Sequence, residues 1–528
     1  MLVGKMNPGR DDEDPASQGD GTGEQPAWQS PLSSGPLAAT VALPGSKSLT
    51  GRELILSSLA NAPGTLRVPL HSRDTQLMTE GLRALGVQID ELASPANAFG
   101  PDLRITPTEE LTGSTSISCG LAGTVMRFLP AVAALALGPV SFDGDPYARK
   151  RPMRPVLDAL RALGADISDD GRGALPFTVH GTGSLRGGRV ELDASLSSQF
   201  VSGLLLAAPR FDEGVHVVHT GERLPSVPHI EMTLEALRRR GVVAETVAPG
   251  EWRVQPGPIF AADLTIEPDL SNAAPFLAAA LVAGGSVSVP HWPVSTTQVG
   301  NQLRTLLEAF GARVDATQTG DTQTVTVQGS GPLRGVDLSV PEAGELAPTL
   351  VGLAALAAHG TGTGDGVASR IVGIGHIRHH ETDRIAALVH EINALGGRAE
   401  ELEDGIALHP ATLHGGTWGA YADHRMATTG ALIGLRIAGV SVDDIGSTSK
   451  TLPQFTELWH GMLAGGNATT RRARERGDGG TYGGGDLLGD LLGNIAGGAI
   501  SNGDILLRGT GRVAGSIVRG VGNLFDGA

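Results

Sequence analysis

Apolar residues along this chain recur with two different periods. Segments with apolar residues three and four positions apart, as in a helix, end on a glycine and pass into a short apolar stretch of strand character. Glycine fits the position just after a helix C-terminus, where the left-handed conformation carries no steric penalty for it. Five such segments follow one another at spacings of roughly 65–85 residues: 81–89, 159–167, 236–244, 306–314 and 391–399.

Valine-rich stretches lie between these helices. Residues 286–290 read SVSVP and residues 324–328 read TVTVQ, the alternation expected of half-buried strands. Helices and strands mixed at this spacing predict an α/β protein built from repeated β-α-β-α-β-β units. With a weaker sixth copy near residues 430–463, we expect two globular domains of three units each.

The two ends of the chain differ from this pattern. Residues 1–35 are polar and rich in Gly, Pro, Ser and acidic residues, and we expect a disordered leader there. Residues 466–528 are glycine-rich and carry too few bulky residues for a core, which predicts a flexible, low-complexity tail. Glycines spaced four apart among its leucines leave a self-associating helix as an alternative.

Composition narrows the class of function. The chain has 528 residues, 40% hydrophobic and 18% charged, as in soluble globular proteins. Its net charge of -16 and its 4% aromatic residues argue against nucleic-acid binding, which uses basic surfaces and stacking side chains. A local basic pocket for a small anion remains compatible with an acidic protein. The absence of a secretion signal and the single cysteine, Cys119, favour a cytoplasmic location.

The segment 44–52, PGSKSLTGR, predicts a loop that leads into a helix N-terminus. Such a site collects backbone N–H groups and the positive end of the helix dipole, and therefore suits an anion. Only four of the 40 basic residues are lysines, and Lys47 is one of them. Lysine can give up its proton when neighbours shift its pKa, and arginine does not. The alternative is a solvated surface turn.

Two further segments combine small or polar residues with a helix start. Residues 120–127, GLAGTVMR, open a helix that we expect to continue to about residue 137, and Arg127 offers a fork for phosphate or carboxylate. Helix packing alone would also explain the glycines, including Gly123. In residues 195–200, SLSSQF, the side chains of Ser197, Ser198 and Gln199 could clasp phosphate oxygens, although an ordinary helix N-cap explains the serines equally well.

The densest polar cluster is HIRHHETDR, residues 376–384. His376 and His380 are four apart and could share a helix face, but the HExxH order and a clear third ligand are missing, so we expect no metal. The alternatives are a charged first helical turn and acid/base chemistry by Glu381 beside Arg384. Two more polar segments, DHRMA at 423–427 and SKTLP at 449–453, supply Arg425 and Lys450 near predicted helix starts.

Taken in order, these motifs resemble those of the enolpyruvyl transferase family, and within it the members that act on shikimate 3-phosphate. The resemblance runs from about residue 36 to 464 and rests on PGSKS, AGTVMR, SSQF, ETDR, DHRMA and SKTLP. It implies a two-domain, inside-out α/β barrel of six repeats with a cleft between the domains. One domain would be discontinuous, residues 36–45 and 267–465, and the other would be residues 46–266.

The resemblance also implies an activity: transfer of the enolpyruvyl group of phosphoenolpyruvate to the 5-hydroxyl of shikimate 3-phosphate, with release of phosphate and without cofactor or metal. The implied catalytic residues are Lys47, Glu345, Glu381 and Lys450. The implied contacts to shikimate 3-phosphate are Lys47, Ser48, Arg52, Ser197, Ser198, Gln199, Ser226 and Glu345. The implied contacts to phosphoenolpyruvate are Lys47, Gly123, Arg127, Gln199, Arg384, Arg425, Lys450 and either Arg149 or Arg151.

The chain departs from the family pattern at several of these positions. Glu345 stands where many members have the shorter aspartate, His380 replaces a common lysine, and His376 replaces an asparagine. Because histidine titrates near neutral pH, His380 could sharpen the pH dependence. Leu121 replaces a frequent asparagine and Phe128 a frequent proline, which leaves the response to the inhibitor glyphosate open.

Two other functions remain as alternatives. A sister enzyme of the same fold transfers enolpyruvyl to UDP-N-acetylglucosamine and typically has a reactive cysteine on a mobile loop, whereas Cys119 lies next to the AGTVMR segment. A catalytically silent phosphometabolite-binding protein would not need the carboxylates Glu345 and Glu381. We expect a monomer whose partners are the two small-molecule substrates, with neither nucleic acid nor membrane bound.

Overall fold

The computed structural model describes residues 26–94, 97–360 and 366–468. Within them the chain forms helices and strands in alternation, as the repeat pattern predicts. The helices are α1 Lys47–Ser58, α2 Arg73–Ala84, α3 Gly123–Ala133, α4 Arg154–Ala162, α5 Gln199–Ala207, α6 Val227–Arg239, α7 Ala273–Ala283, α8 Leu303–Ala309, α9 Ala347–Ala358, α10 Arg384–Ala394, α11 His424–Gly434 and α12 Phe455–Leu463. None of the helices in these residues is both long and apolar enough to cross a membrane.

The strands are short and spread over the whole described chain. They are β1 Trp28–Gln29, β2 Leu37–Val41, β3 Gly64–Arg67, β4 Gln88–Leu92, β5 Asp102–Thr106, β6 Leu111–Thr112, β7 Thr115–Ser118, β8 Ala136–Asp143, β9 Asp166–Ser168, β10 Phe177–Thr182, β11 Gly188–Leu192, β12 Val215–His219, β13 Ala244–Ala248, β14 Glu251–Val254, β15 Leu264–Thr265, β16 Gly285–Pro293, β17 Arg313–Thr319, β18 Thr322–Gly329, β19 Asp337–Ser339, β20 Ser369–Val372, β21 Arg398–Leu402, β22 Gly405–His409, β23 Gly416–Trp418, β24 Val440–Val442 and β25 Gly466–Ala468.

These strands assemble into six small sheets, one for each predicted repeat. Three sheets come from the first half of the fold, with strand orders β15-β3-β5-β4, β6-β8-β10-β9 (β7 also pairs with β8) and β11-β12-β14-β13. The other three are β17-β18-β16-β2-β25, β19-β20-β22-β21 and β1-β24-β23. Each of the six sheets mixes parallel and antiparallel pairs; β16, for example, is parallel to β2 and antiparallel to β18. Six mixed sheets agree with the predicted α/β architecture.

The apolar side chains form two large cores. One core is built from residues between Leu49 and Ile266, and the other from Leu37–Leu43 together with residues between Leu270 and Met462, to which Phe99 also contributes. On this basis we propose the domain division predicted from the sequence, 46–266 against 36–45 with 267–465. The division follows the apolar surface that each repeat has to bury.

Six helices lie inside these cores. α1, α3, α5, α7, α9 and α11 are buried over nearly their whole length. A helix that is apolar all round has no face for solvent and must be surrounded by other elements. Because other elements cover their sides, these six helices expose mainly their ends, and the N-terminal ends of α1, α3, α5 and α11 carry polar motifs described above.

The predicted helix-to-strand junctions are confirmed. All five glycines at these junctions adopt positive φ, from 77° to 110°, directly after a helix C-cap: Gly86, Gly164, Gly241, Gly311 and Gly396. An L-residue with a side chain would be strained in this conformation. The predicted length of α3 is wrong, however, since the helix ends at Ala133 and the apolar run continues from Ala136 as strand β8.

The expected disordered leader is wrong for residues 26–35. Trp28–Gln29 forms β1, which pairs antiparallel with β24, and the side chain of Ser30 is buried and donates to the carbonyl of Ala431. The expected tail also begins too early, because Gly466–Ala468 forms β25 and pairs parallel with β2. The remainder of both segments, residues 1–25 and 469–528, lies outside the described residues.

Candidate active site

One cleft gathers most of the predicted site residues. It contains about 970 Å³ of empty volume, including open solvent, and its walls come from both apolar cores. Its predicted members are Lys47, Ser48, Arg127, Arg151, Ser197, Ser198, Gln199, Ser226, Glu345, His376, His380, Glu381, Arg384 and Arg425. Side chains that the sequence did not single out complete the wall, among them Asp269, Ser271, His229 and His424.

Helix N-termini surround this cleft. α1 begins at Lys47, α5 at Gln199, α10 at Arg384 and α11 at His424, and each of these residues lines the wall. Each such end contributes unpaired backbone N–H groups and the positive end of a helix dipole, which favour anions. An acidic chain can therefore present a cationic cleft, as we expected for an anionic ligand.

Lys47 lies where the sequence predicts, at the first position of α1. Ser46 caps the helix by accepting from the N–H of Leu49 at 3.5 Å, and the backbone N–H of Lys47 donates to Asp269 at 3.1 Å. The Lys47 ammonium lies 3.5 Å from a carboxylate oxygen of Asp74, whose side chain is only 5% exposed. Asp74 therefore holds the Lys47 side chain at the edge of the cleft.

Glu381 lies between two cations. Its Oε1 is 2.6 Å from Nζ of Lys450, and its Oε2 accepts from Arg384 at 2.9 Å. Burial raises the pKa of Glu381, but Lys450 and then Arg384 outweigh burial and hold the pKa well below its usual value. Arg384 also forks onto Asp423, with N–O distances of 2.7 and 3.1 Å. Glu381 is therefore ionised in the free protein.

Glu345 forms the second carboxylate centre. Its Oε1 lies 3.2 Å from Nε2 of His229, and its Oε2 accepts from the hydroxyl of Ser271 at 2.8 Å. Burial raises the pKa of Glu345, but His229 and then Arg425 hold it well below its usual value. Arg425 itself donates to the carbonyl of Ser271 at 2.8 Å. Glu345 and Arg425 thus share Ser271, which lies just before α7.

The AGTVMR and SSQF segments meet across the cleft wall. Arg127 donates to the side chains of Ser197 at 3.2 Å and Gln199 at 2.8 Å, while its Nε is buried without a hydrogen-bond partner among the described residues. A Cβ on Gly123 would lie 3.1–3.2 Å from the guanidinium of Arg151 and 3.2 Å from Oε1 of Gln199. A side chain at position 123 would crowd Arg151 and Gln199, and glycine avoids this.

The sequence left Arg149 and Arg151 as alternatives, and their positions differ. Arg151 lines the cleft and donates to the carbonyl of Leu121 at 3.2 Å. Arg149 is half exposed and forks onto Asp143 at 2.9 and 2.7 Å, away from the cleft wall. Of the two, Arg151 is positioned to meet a ligand.

The two histidines that replace common family residues pack against each other. The rings of His376 and His380 have centroids 5.8 Å apart in an edge-on arrangement, and Nδ1 of His380 lies 2.9 Å from Arg384. Burial, followed by the charge of Arg384, holds the pKa of His380 well below its usual value. Burial is likewise the main cause of the lowered pKa of His376. Both imidazoles are therefore neutral at neutral pH.

Three predicted residues besides Arg149 do not form the cleft wall. Lys450 is behind Glu381, and Gly123 is behind Arg151 and Gln199. Arg52 is buried, donates to the carbonyls of Ser48 and His229 at 2.9 Å, and has its pKa lowered to about 10 by burial. Its guanidinium connects α1 to α6 rather than facing the cleft.

Sequence reasoning missed the partners of the predicted residues. Asp74, Asp423, Ser271 and His229 each contact a predicted site residue, yet each lies on a different segment from the residue it contacts. The structure itself marks this region: Ser226, just before α6, adopts the strained left-handed conformation with φ 55°, and such residues cluster at functional sites. His229 lies in the first turn after it.

Known proteins match this chain over most of its length. A family model described as EPSP synthase (3-phosphoshikimate 1-carboxyvinyltransferase) matches residues 32–459. A 3-phosphoshikimate 1-carboxyvinyltransferase from Kocuria rhizophila is 53% identical over 437 residues, which are 82% of this chain and 95% of the relative. The chain belongs to the EPSP synthase family. The resemblance predicted from the six motifs is confirmed.

The fold of this chain is similar to those of solved enolpyruvyl transferases. An EPSP synthase from Acinetobacter baumannii superposes with a TM-score of 0.67 at 23% identity, covering 82% of this chain and 97% of that one. The enolpyruvyl transferase NikO from Streptomyces tendae gives a TM-score of 0.61 at 18% identity, covering 81% and 95%. The predicted inside-out α/β fold is confirmed.

Proposed function

We propose that this chain transfers the enolpyruvyl group of phosphoenolpyruvate to the 5-hydroxyl of shikimate 3-phosphate and releases inorganic phosphate. The observation that carries the proposal is the arrangement of Lys47, Glu345 and Glu381 on one cleft, with Lys450 directly behind Glu381. A protein that only bound phosphorylated anions would gain nothing from two carboxylates in the same cleft, because each carboxylate repels the ligand.

The reaction needs three protonation changes. The hydroxyl oxygen bonds to C2 of phosphoenolpyruvate and loses its proton, while C3 takes a proton. Phosphate then leaves from C2, and C3 gives a proton back as the double bond re-forms. We assign the proton at C3 to Glu381 and the hydroxyl side to Lys47 and Glu345, since acid and base must act on opposite sides of the new bond.

Ligand binding explains how Glu381 can carry a proton although it is ionised in the free protein. Its low pKa depends on Lys450 and Arg384, which we also assign to phosphoenolpyruvate. When the phosphate and carboxylate of the substrate pair with these cations, they weaken the contacts to Glu381 and its pKa rises. The same cations then stabilise the charge on the departing phosphate.

The phosphate-binding roles follow the helix ends and the basic side chains. We assign shikimate 3-phosphate to the α1 and α5 N-termini, through Ser48, Ser197, Ser198 and Gln199, and to Ser226 before α6. We assign phosphoenolpyruvate to Arg127, Arg151, Arg384, Arg425 and Lys450, with Lys47 between the two substrates. Arg52 serves by fixing α1 against α6.

The competing acceptor UDP-N-acetylglucosamine is disfavoured by one specific observation. The enzymes that use it typically present a reactive cysteine, whereas Cys119 is fully buried and burial raises the pKa of its thiol to about 12. A thiol in this state carries almost no thiolate at neutral pH and is a poor nucleophile. The cytoplasmic location and the monomeric state also remain proposals, the latter testable by light scattering of the purified protein.

A phosphate-release assay tests the function directly. The protein is incubated with phosphoenolpyruvate and shikimate 3-phosphate, UDP-N-acetylglucosamine or no acceptor. We expect phosphate release only with shikimate 3-phosphate. Phosphate release with UDP-N-acetylglucosamine but not with shikimate 3-phosphate would assign the activity of the sister enzyme. No phosphate release with either acceptor would indicate a binding protein.

A further inference from the structure

His229 is the cleft residue whose geometry suggests a role beyond those assigned above. It lies in the first turn of α6, its side chain is 13% exposed, and its Nε2 is 3.2 Å from Oε1 of Glu345. The other oxygen of Glu345 accepts from Ser271 at 2.8 Å, so both carboxylate oxygens have fixed partners. The longer side chain of glutamate, where relatives often have aspartate, extends the carboxylate further from its backbone toward such partners.

The backbone of His229 is held by three hydrogen bonds. Its backbone N–H donates to the carbonyl of Ser226 at 3.0 Å, and its backbone carbonyl accepts from Arg52 at 2.9 Å and from Thr233 at 3.0 Å. With Nε2 directed to Glu345, the remaining ring nitrogen is Nδ1, which forms no hydrogen bond within the described parts of the chain. A carboxylate on one nitrogen and a free second nitrogen is the arrangement that makes histidine a general base.

Glu345 alone is poorly suited to accept a proton from an alcohol. Both of its oxygens already have neighbours, Nε2 of His229 at 3.2 Å and the hydroxyl of Ser271 at 2.8 Å, so neither oxygen is free to take the proton of a substrate hydroxyl. Imidazole is the side chain whose protonation normally changes between pH 5 and 8, which matches a base to the operating pH. The carboxylate then has a different task, which is to orient the ring and offset the positive charge that forms on it.

We propose that His229 and Glu345 act as one proton-accepting pair for the hydroxyl of shikimate 3-phosphate; the proposal rests on the function proposed above. The hydroxyl proton moves to Nδ1 of His229 as the oxygen bonds to C2 of phosphoenolpyruvate. The Nε2–H of His229 donates to Glu345, whose negative charge balances the imidazolium. Solvent takes the proton from Nδ1 after the product leaves.

The sign of the pH effect follows from the role of a base, which must be deprotonated to act. Glu345 on the segment before α9 pairs with His229, and the groups that interact with the pair are Arg425 on α11, Arg384 on α10, Arg52 on α1, His376 and His380, while Glu231 follows on α6 itself. Burial keeps His376 neutral, and Arg52, with a pKa of about 10, stays charged at neutral pH. We therefore expect kcat to fall as the pH decreases through the imidazole range, because an imidazolium cannot accept the proton.

The test is the pH profile of kcat, from about pH 5.5 to 9, for the wild-type protein and for His229→Asn, His229→Gln and Glu345→Gln. We expect both His229 variants to lose about 10²–10⁴-fold in kcat, with little change in KM, and to lose the acidic limb near the imidazole range. His390→Asn is the matched control, because His390 also lies near a glutamate, 3.9 Å from Glu391, but is 72% exposed and outside the cleft. Circular dichroism verifies that each variant is folded.

Several results would overturn the pair. A wild-type kcat without an acidic limb would do so whatever the variants show, and so would a limb that persists in the folded His229 variants. A kcat that rises as the pH falls would make His229 a cation for the substrate instead. In the double variant, His229→Asn with Glu345→Gln, losses that multiply would show two independent residues. Absence of wild-type turnover would instead refute the proposed function itself.

Discussion

Replacing Glu381 by glutamine should lower turnover strongly and at the same time tighten phosphate binding. Glutamine keeps the size of the side chain but removes both the negative charge and the acid. Arg384 retains Asp423 as its partner, at 2.7 and 3.1 Å, so the cation that loses its carboxylate is Lys450. In the wild-type protein a phosphate must compete with the negative charge of Glu381 for Lys450, whereas the variant leaves only a neutral amide oxygen beside Lys450.

The size of the effect follows from that single contact. Nζ of Lys450 and Oε1 of Glu381 are 2.6 Å apart, and the two side chains are 10% and 16% exposed. A hydrogen bond to a charged group in such a place contributes about 1.5–3 kcal/mol. At about 1.4 kcal/mol per factor of ten, phosphate should bind about 10- to 150-fold more tightly. Loss of the acid should lower kcat about 10²–10⁴-fold.

The assay is calorimetric titration with inorganic phosphate at constant ionic strength, with shikimate 3-phosphate present, alongside phosphate-release kinetics. Glu401→Gln is the matched control, since Glu401 also accepts from a cation, Arg378, at 2.6 Å but lies outside the cleft. The affinity of the Glu401→Gln variant for phosphate should be the same as that of the wild-type protein. Equal or weaker phosphate binding by Glu381→Gln would refute the idea that substrate anions compete with this carboxylate for Lys450.

Three further predictions follow from the same geometry. Lys47→Arg should fold normally and lose turnover, because arginine keeps the charge but cannot share its proton; normal kcat would contradict the role of Lys47. Arg151→Ala should raise the KM for phosphoenolpyruvate about 10- to 150-fold, because a charge-assisted contact is lost. Arg149→Ala breaks only an exposed ion pair and should leave this KM nearly unchanged. A larger effect of Arg149→Ala would exchange the roles of the two residues. Truncation after residue 468 should retain full activity, since the strand at 466–468 is kept, and a lost kcat would give the tail a function.

Much of the fold was predictable because its signals are local. A glycine after a helical segment specifies the left-handed backbone at that residue, and all five repeats obeyed this rule. The pairing of Trp28–Gln29 with Val440–Val442 has no such signal, because two residues of strand gain their partner from about 400 positions away. The prediction that α3 continues to about residue 137 was wrong for another reason. A buried helix and a buried strand are equally apolar, so the sequence gives no periodic pattern that marks where the helix ends at Ala133 and the strand begins at Ala136.

The loops that form the site were predictable from the sequence, but the side-chain pairs that form between them were not. Each motif could be recognised as a polar helix start, and the structure brings most of these starts to one cleft. Which side chain contacts which depends on distances between segments far apart in sequence. Arg149 and Arg151 illustrate this, since they are two positions apart in one short turn, yet Arg149 forms a surface ion pair and Arg151 lines the cleft. His229 was missed because a single histidine in a helix start is usually not a ligand-binding residue.

In the free cleft Lys47, Arg384 and Lys450 each lie next to a carboxylate, and the carboxylates differ in how deeply they are buried. Asp423 and Asp74 are 0% and 5% exposed, so no substrate can replace them, and they fix Arg384 and Lys47 in position. Glu381 and Glu345 are 16% and 27% exposed and face the same space that the substrates would fill. Only these two carboxylates can exchange their partners for a bound anion. The carboxylate that carries a proton, Glu381, and the one that supports the proton acceptor, Glu345, are therefore the ones whose ion pairs the substrates are able to loosen, which links the acid/base chemistry to occupancy of the cleft.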